Sequence, residues 1–272
     1  MILARLIPKN SDRYTFINNI VDIYSIFFEK HKFLYLFSVW TVTMSGFVFN
    51  KGQIDRFSYW DWSEWEYGLI KIIISSILFL FIQNKNFIDL RLFNKNNSVL
   101  IKEFLFLVLY FFIGLANFNI FDLNIILISP YLFAIAGGLF LYRISIKYDS
   151  NSEKWDVINW ENKLYYFSAS FILLIISTYL GYLFDDPIIS TVSMISLFFP
   201  AIVLLWPSHV RHILRSQFYP LFTFSMFVSV RAPWFLIILF ILFFISRSIN
   251  YLKYGIIYPS FGVDQEDILG DV

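Results

Sequence analysis

No cysteine occurs in the 272 residues. Disulfides, iron–sulfur clusters, thiolate zinc sites and cysteine nucleophiles are therefore excluded, and redox compartment is not encoded. Charge is scarce too: 15% of residues are charged, against about 25% in an ordinary soluble domain. The net charge of +1 provides no basic field for nucleic acid, which is not expected as a partner. Histidine is limited to His31, His209 and His212, and no third ligand accompanies the last two in sequence, so no metal site is expected. Glycine-rich phosphate loops, nucleophile elbows and zinc-protease helix signatures are missing. The opening MILARLIP is too short an apolar run for a secretory signal, so coded and mature chains are expected to coincide.

What remains is apolar: 58% of residues are hydrophobic and 22% aromatic, with 34 Phe. A soluble chain could not cover that much apolar surface, whereas lipid removes the difficulty. The expected fold is all-α, a polytopic integral membrane bundle of about eight transmembrane helices. Its centre is residues 123–142, LNIILISPYLFAIAGGLFLY, twenty residues without a charge. At 1.5 Å per residue such a helix is about 30 Å long, enough to cross a bilayer core. Ala134, Gly137 and Gly138 within it are candidates for close helix packing, because small residues let backbones approach. Gly138→Leu is expected to drive two helices apart.

Residues 1–32 read as an interfacial amphipathic segment: Ser11 is a candidate N-cap, and Phe16, Ile20, Ile23 and Phe27 recur at helical spacing. Residues 33–249 form a single transmembrane domain, and 250–272 a cytoplasmic tail ending in DQEDILGDV. The crossings are placed at residues 33–50, 67–84, 104–121, 123–142, 164–184 and 187–206. Residues 216–230 and 232–246 are each fifteen uncharged residues, short for a crossing. A re-entrant pair is the alternative, but two spans are favoured because Arg215, Arg231 and Arg247 can snorkel. Lys71 is expected to snorkel likewise. Trp60, Trp62 and Trp65, interleaved with Asp61, Glu64 and Glu66, read as an interfacial aromatic belt in preference to a ligand surface. Asp185 and Asp186, ahead of Pro187, read as a helix cap in preference to a cation site.

Eight crossings put seventeen of the 21 Lys and Arg on one side and leave Lys51, Arg56, Lys71 and Arg231 on the other. The positive-inside rule then predicts both termini on the cytoplasmic side of a bacterial inner or organellar membrane. No span centre carries a charge, which argues against an ion-coupled transporter. His209, Arg211, His212 and Arg215 form a basic collar on the cytoplasmic side, a candidate for lipid headgroup or diphosphate contact together with Asp89.

The order of spans, the cytoplasmic loops after spans two, four and six, and the exit sequence SRSINYLKYGIIYP resemble the UbiA superfamily of intramembrane prenyltransferases. The resemblance covers residues 33–259 and implies an all-helical enzyme, usually of nine spans, that transfers a prenyl group from a Mg²⁺-bound diphosphate. The family's aspartate-rich motifs would fall in QNKNFIDLRLFNKN, where Asp89 is the only acid, and in WPSHVRHILRSQ, which has none. One carboxylate is too few for a magnesium cluster. The function expected is thus a catalytically degenerate relative, a lipid-binding or structural accessory membrane subunit without a cofactor. Its partners would be membrane lipids and other membrane subunits. The alternative is an isoprenoid- or lipid-handling transferase that would need Mg²⁺.

Overall fold

Ser11 caps the first long helix as its position suggests: its hydroxyl accepts from the Tyr14 amide at 3.2 Å. In chain order the helices are α1 (Ile2–Leu6), α2 (Asp12–Lys30), α3 (Phe33–Ile54), α4 (Trp65–Asn84), α5 (Asn97–Leu115), α6 (Ile125–Leu141), α7 (Lys163–Leu183), α8 (Pro187–Leu205), α9 (Val210–Arg231) and α10 (Phe235–Tyr254). The structure, a computed structural model, describes residues 2–9, 11–30, 33–84, 97–116, 125–143, 145–149, 154–158, 162–207 and 210–254. The class is all-α, as the hydropathy pattern predicts.

One hairpin interrupts it. Strands β1 (Ser145–Asp149) and β2 (Lys154–Ile158) pair antiparallel, with Lys147 opposite Asp156 and Tyr148 opposite Trp155. The sequence reading treats this stretch as a polar loop. Its period-two alternation, Ile146 and Tyr148 against Trp155 and Val157, is the strand signal.

Among the described residues, three helices are long and apolar enough to cross a membrane: Trp65–Ile82 within α4, Lys163–Leu183 and Pro187–Leu205. The apolar part of α6, Ile126–Leu141, is shorter. Pro130 sits within α6 and cannot donate to the carbonyl four residues back. The Ser129 hydroxyl supplies that bond, reaching Ile126 O at 2.7 Å. Residues 216–246 are two separate helices. α9 and α10 extend their uncharged runs past Arg215 and Arg247, both exposed, and break only at residues 232–234.

The chain forms two compact units, Phe37–Pro233 and a unit of Met1–Leu36 with Trp234–Val272. In the smaller, α2 lies against α10: the Tyr14 hydroxyl donates to Tyr251 O at 3.1 Å, and the Tyr251 hydroxyl to Ile7 O at 2.7 Å. Phe16 and Ile20 of α2 stay exposed. In the larger unit α7 packs on both α6 and α8. Ser177 ties the three, donating to Pro130 O and pairing with the Ser193 hydroxyl, both at 2.8 Å. Such bonds join helices in an apolar surrounding where the hydrophobic effect does not.

Candidate functional site

Hydrogen bonds within the larger unit sort its helix ends into two groups. At one end Lys51 near the close of α3 meets Asp61 at 2.7 Å, and Lys71 in α4 donates to Gly114 O of α5 at 2.6 Å. At the same end Arg56 pairs with Asp185 in the α7–α8 turn, and Arg231 at the close of α9 donates to Arg56 O at 2.9 Å. At the other end Arg143, just past α6, pairs with Glu103 near the start of α5 at 4.0 Å. There too Gln217 in α9 donates to Leu141 O at 3.0 Å, and Lys163 at the start of α7 to Pro207 O at 2.9 Å. Helices α3 to α9 therefore run alternately up and down.

The collar expected from sequence is only partly on view. Asp89 and His209 lie outside the described residues, and Arg211 is in α9 with its side chain outside them. His212 is half-buried, its ring 6.4 Å from that of Trp206, and Arg215 is exposed. The ion pair that the fold does build at that end is Arg143–Glu103, two side chains each 5% exposed. Their long separation in sequence gave no signal beyond an acid at the start of one span and a base at the end of the next.

Of the three packing candidates, Ala134 is buried and Gly137 faces α7: a Cβ there would lie 3.3 Å from Leu174 Cγ and 3.4 Å from Ser170 O. Gly138 corrects the expectation. Among the described residues nothing lies within 4 Å of where its Cβ would be, because one residue's rotation turns it away from that contact. The closer approach involves Gly46 of α3 and Gly114 of α5, where Cβ atoms would overlap the Phe111 and Thr43 carbonyls.

The polar group at the first end is denser than the sequence suggested. Asp61 accepts from Lys51, from the Ser63 amide at 2.8 Å and from the Ser63 hydroxyl at 2.7 Å. The Lys51 bond first, then those of Ser63, hold its carboxyl well below the usual range. Asp186 accepts from the Tyr131 hydroxyl at 2.8 Å and from the Ile188 and Ile189 amides at 3.0 and 3.3 Å, so it caps α8. Trp60, Trp62 and Trp65 are exposed, and the Trp60 amide donates to Val230 O at 2.8 Å.

Two cations placed on this side are engaged within the fold. Lys71 turns to Gly114 O and to the ring of Phe47, 5.1 Å away, because α5 ends there with an unsatisfied carbonyl. Arg231 is 2% exposed. Its guanidinium lies over Tyr59, 5.6 Å from the ring centroid, and among the described residues its Nε has no hydrogen-bond partner. A lone arginine between two uncharged runs is the only sequence signal it gives. Among the described residues, no group of three or more His, Asp or Glu side chains could hold a metal ion. No protein-family model, curated protein or solved structure matches the chain.

Proposed function

We propose that the protein is a multi-pass membrane protein that acts as a lipid-binding or structural accessory subunit, crossing the bilayer eight times with both termini cytoplasmic. The observation that carries the reading is apolar side chains left outside the fold on the three described helices that are long and apolar enough to cross a membrane. Ile70, Ile73, Ile74, Ile77 and Phe81 of α4 are exposed, as are Ile172, Ile175 and Tyr179 of α7 and Met194, Ile195 and Phe198 of α8. Monomeric soluble proteins rarely expose apolar patches of that extent, and lipid tails or partner helices are what would cover them. The up-and-down run of α3 to α9 supports repeated crossings, and the four cations gathered at one end match the cation-poor side of the positive-inside count.

Membrane fractionation followed by blue-native electrophoresis tests the reading. The protein is expected to resist alkaline carbonate extraction and, in mild detergent, to migrate with bound lipid or a second subunit. A strictly monomeric, lipid-free species would overturn the accessory role, and release by carbonate would overturn the membrane assignment itself. The transferase alternative is separated by assay with labelled prenyl diphosphate and Mg²⁺. Product formation abolished by Asp89→Ala would establish it.

A further inference from the structure

Arg231 is a cation without an anion. Lys51, Arg56 and Arg143 each meet a carboxylate within 4.0 Å, but among the described residues Arg231 meets none. It donates to one neutral carbonyl, Arg56 O at 2.9 Å, lies over the face of Tyr59, and acts electrostatically on the buried Tyr131. A guanidinium does not give up its proton in a protein, so burial cannot be relieved by neutralisation. A buried charge needs a counter-charge to offset its desolvation. Among the acids at this end, Asp61 is engaged with Lys51, Asp185 with Arg56, and Asp186 with Tyr131 and the α8 amides, while Asp55 accepts from the Phe57 amide and forms no ion pair with Arg231 among the described residues.

We propose that Arg231 is the anchor of a phosphate-binding site, in which a phosphate oxyanion, on a lipid headgroup or free in solution, accepts from its unpartnered Nε. The guanidinium is already oriented for it. Arg56 O holds one nitrogen, and another occupies the space where a side chain on Gly52 would lie, so the fork cannot turn away. A fixed planar fork suits a tetrahedral oxyanion better than a flexible ammonium would. The covering segment is the link between α3 and α4. Its Phe57, Trp60 and Trp62 are more than half exposed, as is Ile54 at the end of α3, and it is held to α9 by Trp60 N–H to Val230 O and by Arg231 itself. A ligand enters by displacing this link. The site stands independently of the accessory role, since free phosphate can be tested in detergent without a bilayer.

Full-length protein, purified in detergent and stripped of lipid, is titrated with inorganic phosphate against chloride at matched ionic strength, with thermal unfolding as the readout. In a second arm, native mass spectrometry follows retention of phosphatidylglycerol against diacylglycerol from mixed micelles. A saturable rise in Tm with phosphate points to the free ion, and selective retention of the phospholipid points to the headgroup; either supports the site. Arg231→Gln is expected to weaken the response at least tenfold. Gly52→Ala, which leaves the charge but displaces the guanidinium, should weaken it as well. No response in either arm with the unaltered protein, a rise equal to that with chloride, or full binding by folded Arg231→Gln would overturn the proposal. Should Arg231→Gln fail to fold, the unaltered protein and Gly52→Ala still decide.

Discussion

Glycine shows how far single residues were legible. The pair Gly137 and Gly138 stands out in sequence because it sits mid-run in an uncharged stretch, yet only Gly137 meets a neighbour. Gly46 and Gly114 do not stand out, since each is a lone glycine in aromatic surroundings, and their meeting depends on where α3 crosses α5. Composition marks residues that permit close approach; only the fold says which of them use it. Gly137→Leu should therefore lower stability by about 1–3 kcal/mol through overpacking against Leu174, while Gly138→Leu should stay within about 0.5 kcal/mol. Gly46→Ala should cost about 3 kcal/mol or more, because backbone carbonyl cannot move as a side chain can. Thermal unfolding in one detergent ranks all three. Asp61 offers a pH test. Its folded pKa lies below the unfolded one, so its contribution is complete above the unfolded value of about 3.9 and is lost as pH falls through the folded value. Unfolding from pH 7 to 3 should show a decline at the acid end that Asp61→Asn reduces. At neutral pH that variant should be less stable by about 1–3 kcal/mol, since it leaves the Lys51 ammonium buried beside a neutral amide.

The turn from α7 to α8 is the element that sequence chemistry described best. Two acids before a proline predict a helix start, and the structure divides the work between them. Asp185 takes a left-handed conformation, φ 59°, and ends α7: its amide donates to Tyr182 O at 3.1 Å and that of Asp186 to Gly181 O at 2.9 Å. This is a Schellman closure with aspartate where glycine is commoner. Asp186 then caps α8, with Pro187 in the first turn, where no amide is needed. The hairpin at β1 and β2 was less visible, since mixed charges over a short stretch mask a period of two. Cap chemistry is local and so survives in sequence; strand pairing is not. Asp186→Ala should cost about 1–2 kcal/mol for the cap, and more in total because the buried Tyr131 hydroxyl loses its acceptor. Asp185→Ala should cost under about 1 kcal/mol, because its pair with Arg56 is largely solvent-exposed. Equal losses in thermal unfolding would show that the cap contributes nothing beyond a surface contact.

At the scale of the whole molecule the all-helical class followed from composition alone, while the number of crossings did not. Hydropathy rates each segment separately, and among the described residues three helices pass on length and composition together. α3 carries Thr41, Thr43, Ser45 and Lys51 on buried positions, and α9 carries Arg215 and Gln217, which lowers the hydropathy of both. Their polar groups are instead bonded inside the unit: Thr43 to Ser75 at 2.9 Å, Gln217 to Leu141 O, Lys51 to Asp61. A satisfied polar group lowers hydropathy on paper without meeting lipid. The candidate site was illegible for the same reason. Arg231 counts as one unfavourable charge beside a span, and nothing near it in sequence tells that Arg56 and Tyr59 close over it. If polar helices that bury their polar faces do cross, then α3 to α9 cross in alternation. The ends that hold Lys51, Arg56, Lys71 and Arg231 are then outside, and those that hold Arg143 and Lys163 inside. Reporter fusions should read the outside at Glu64 and Asp185 and the inside at Asn151 and Gln265. An outside signal at Asn151 would break the alternation at α6 and reduce the crossings below eight. An outside signal at Gln265 alone would leave the larger unit intact and place the fault in α10.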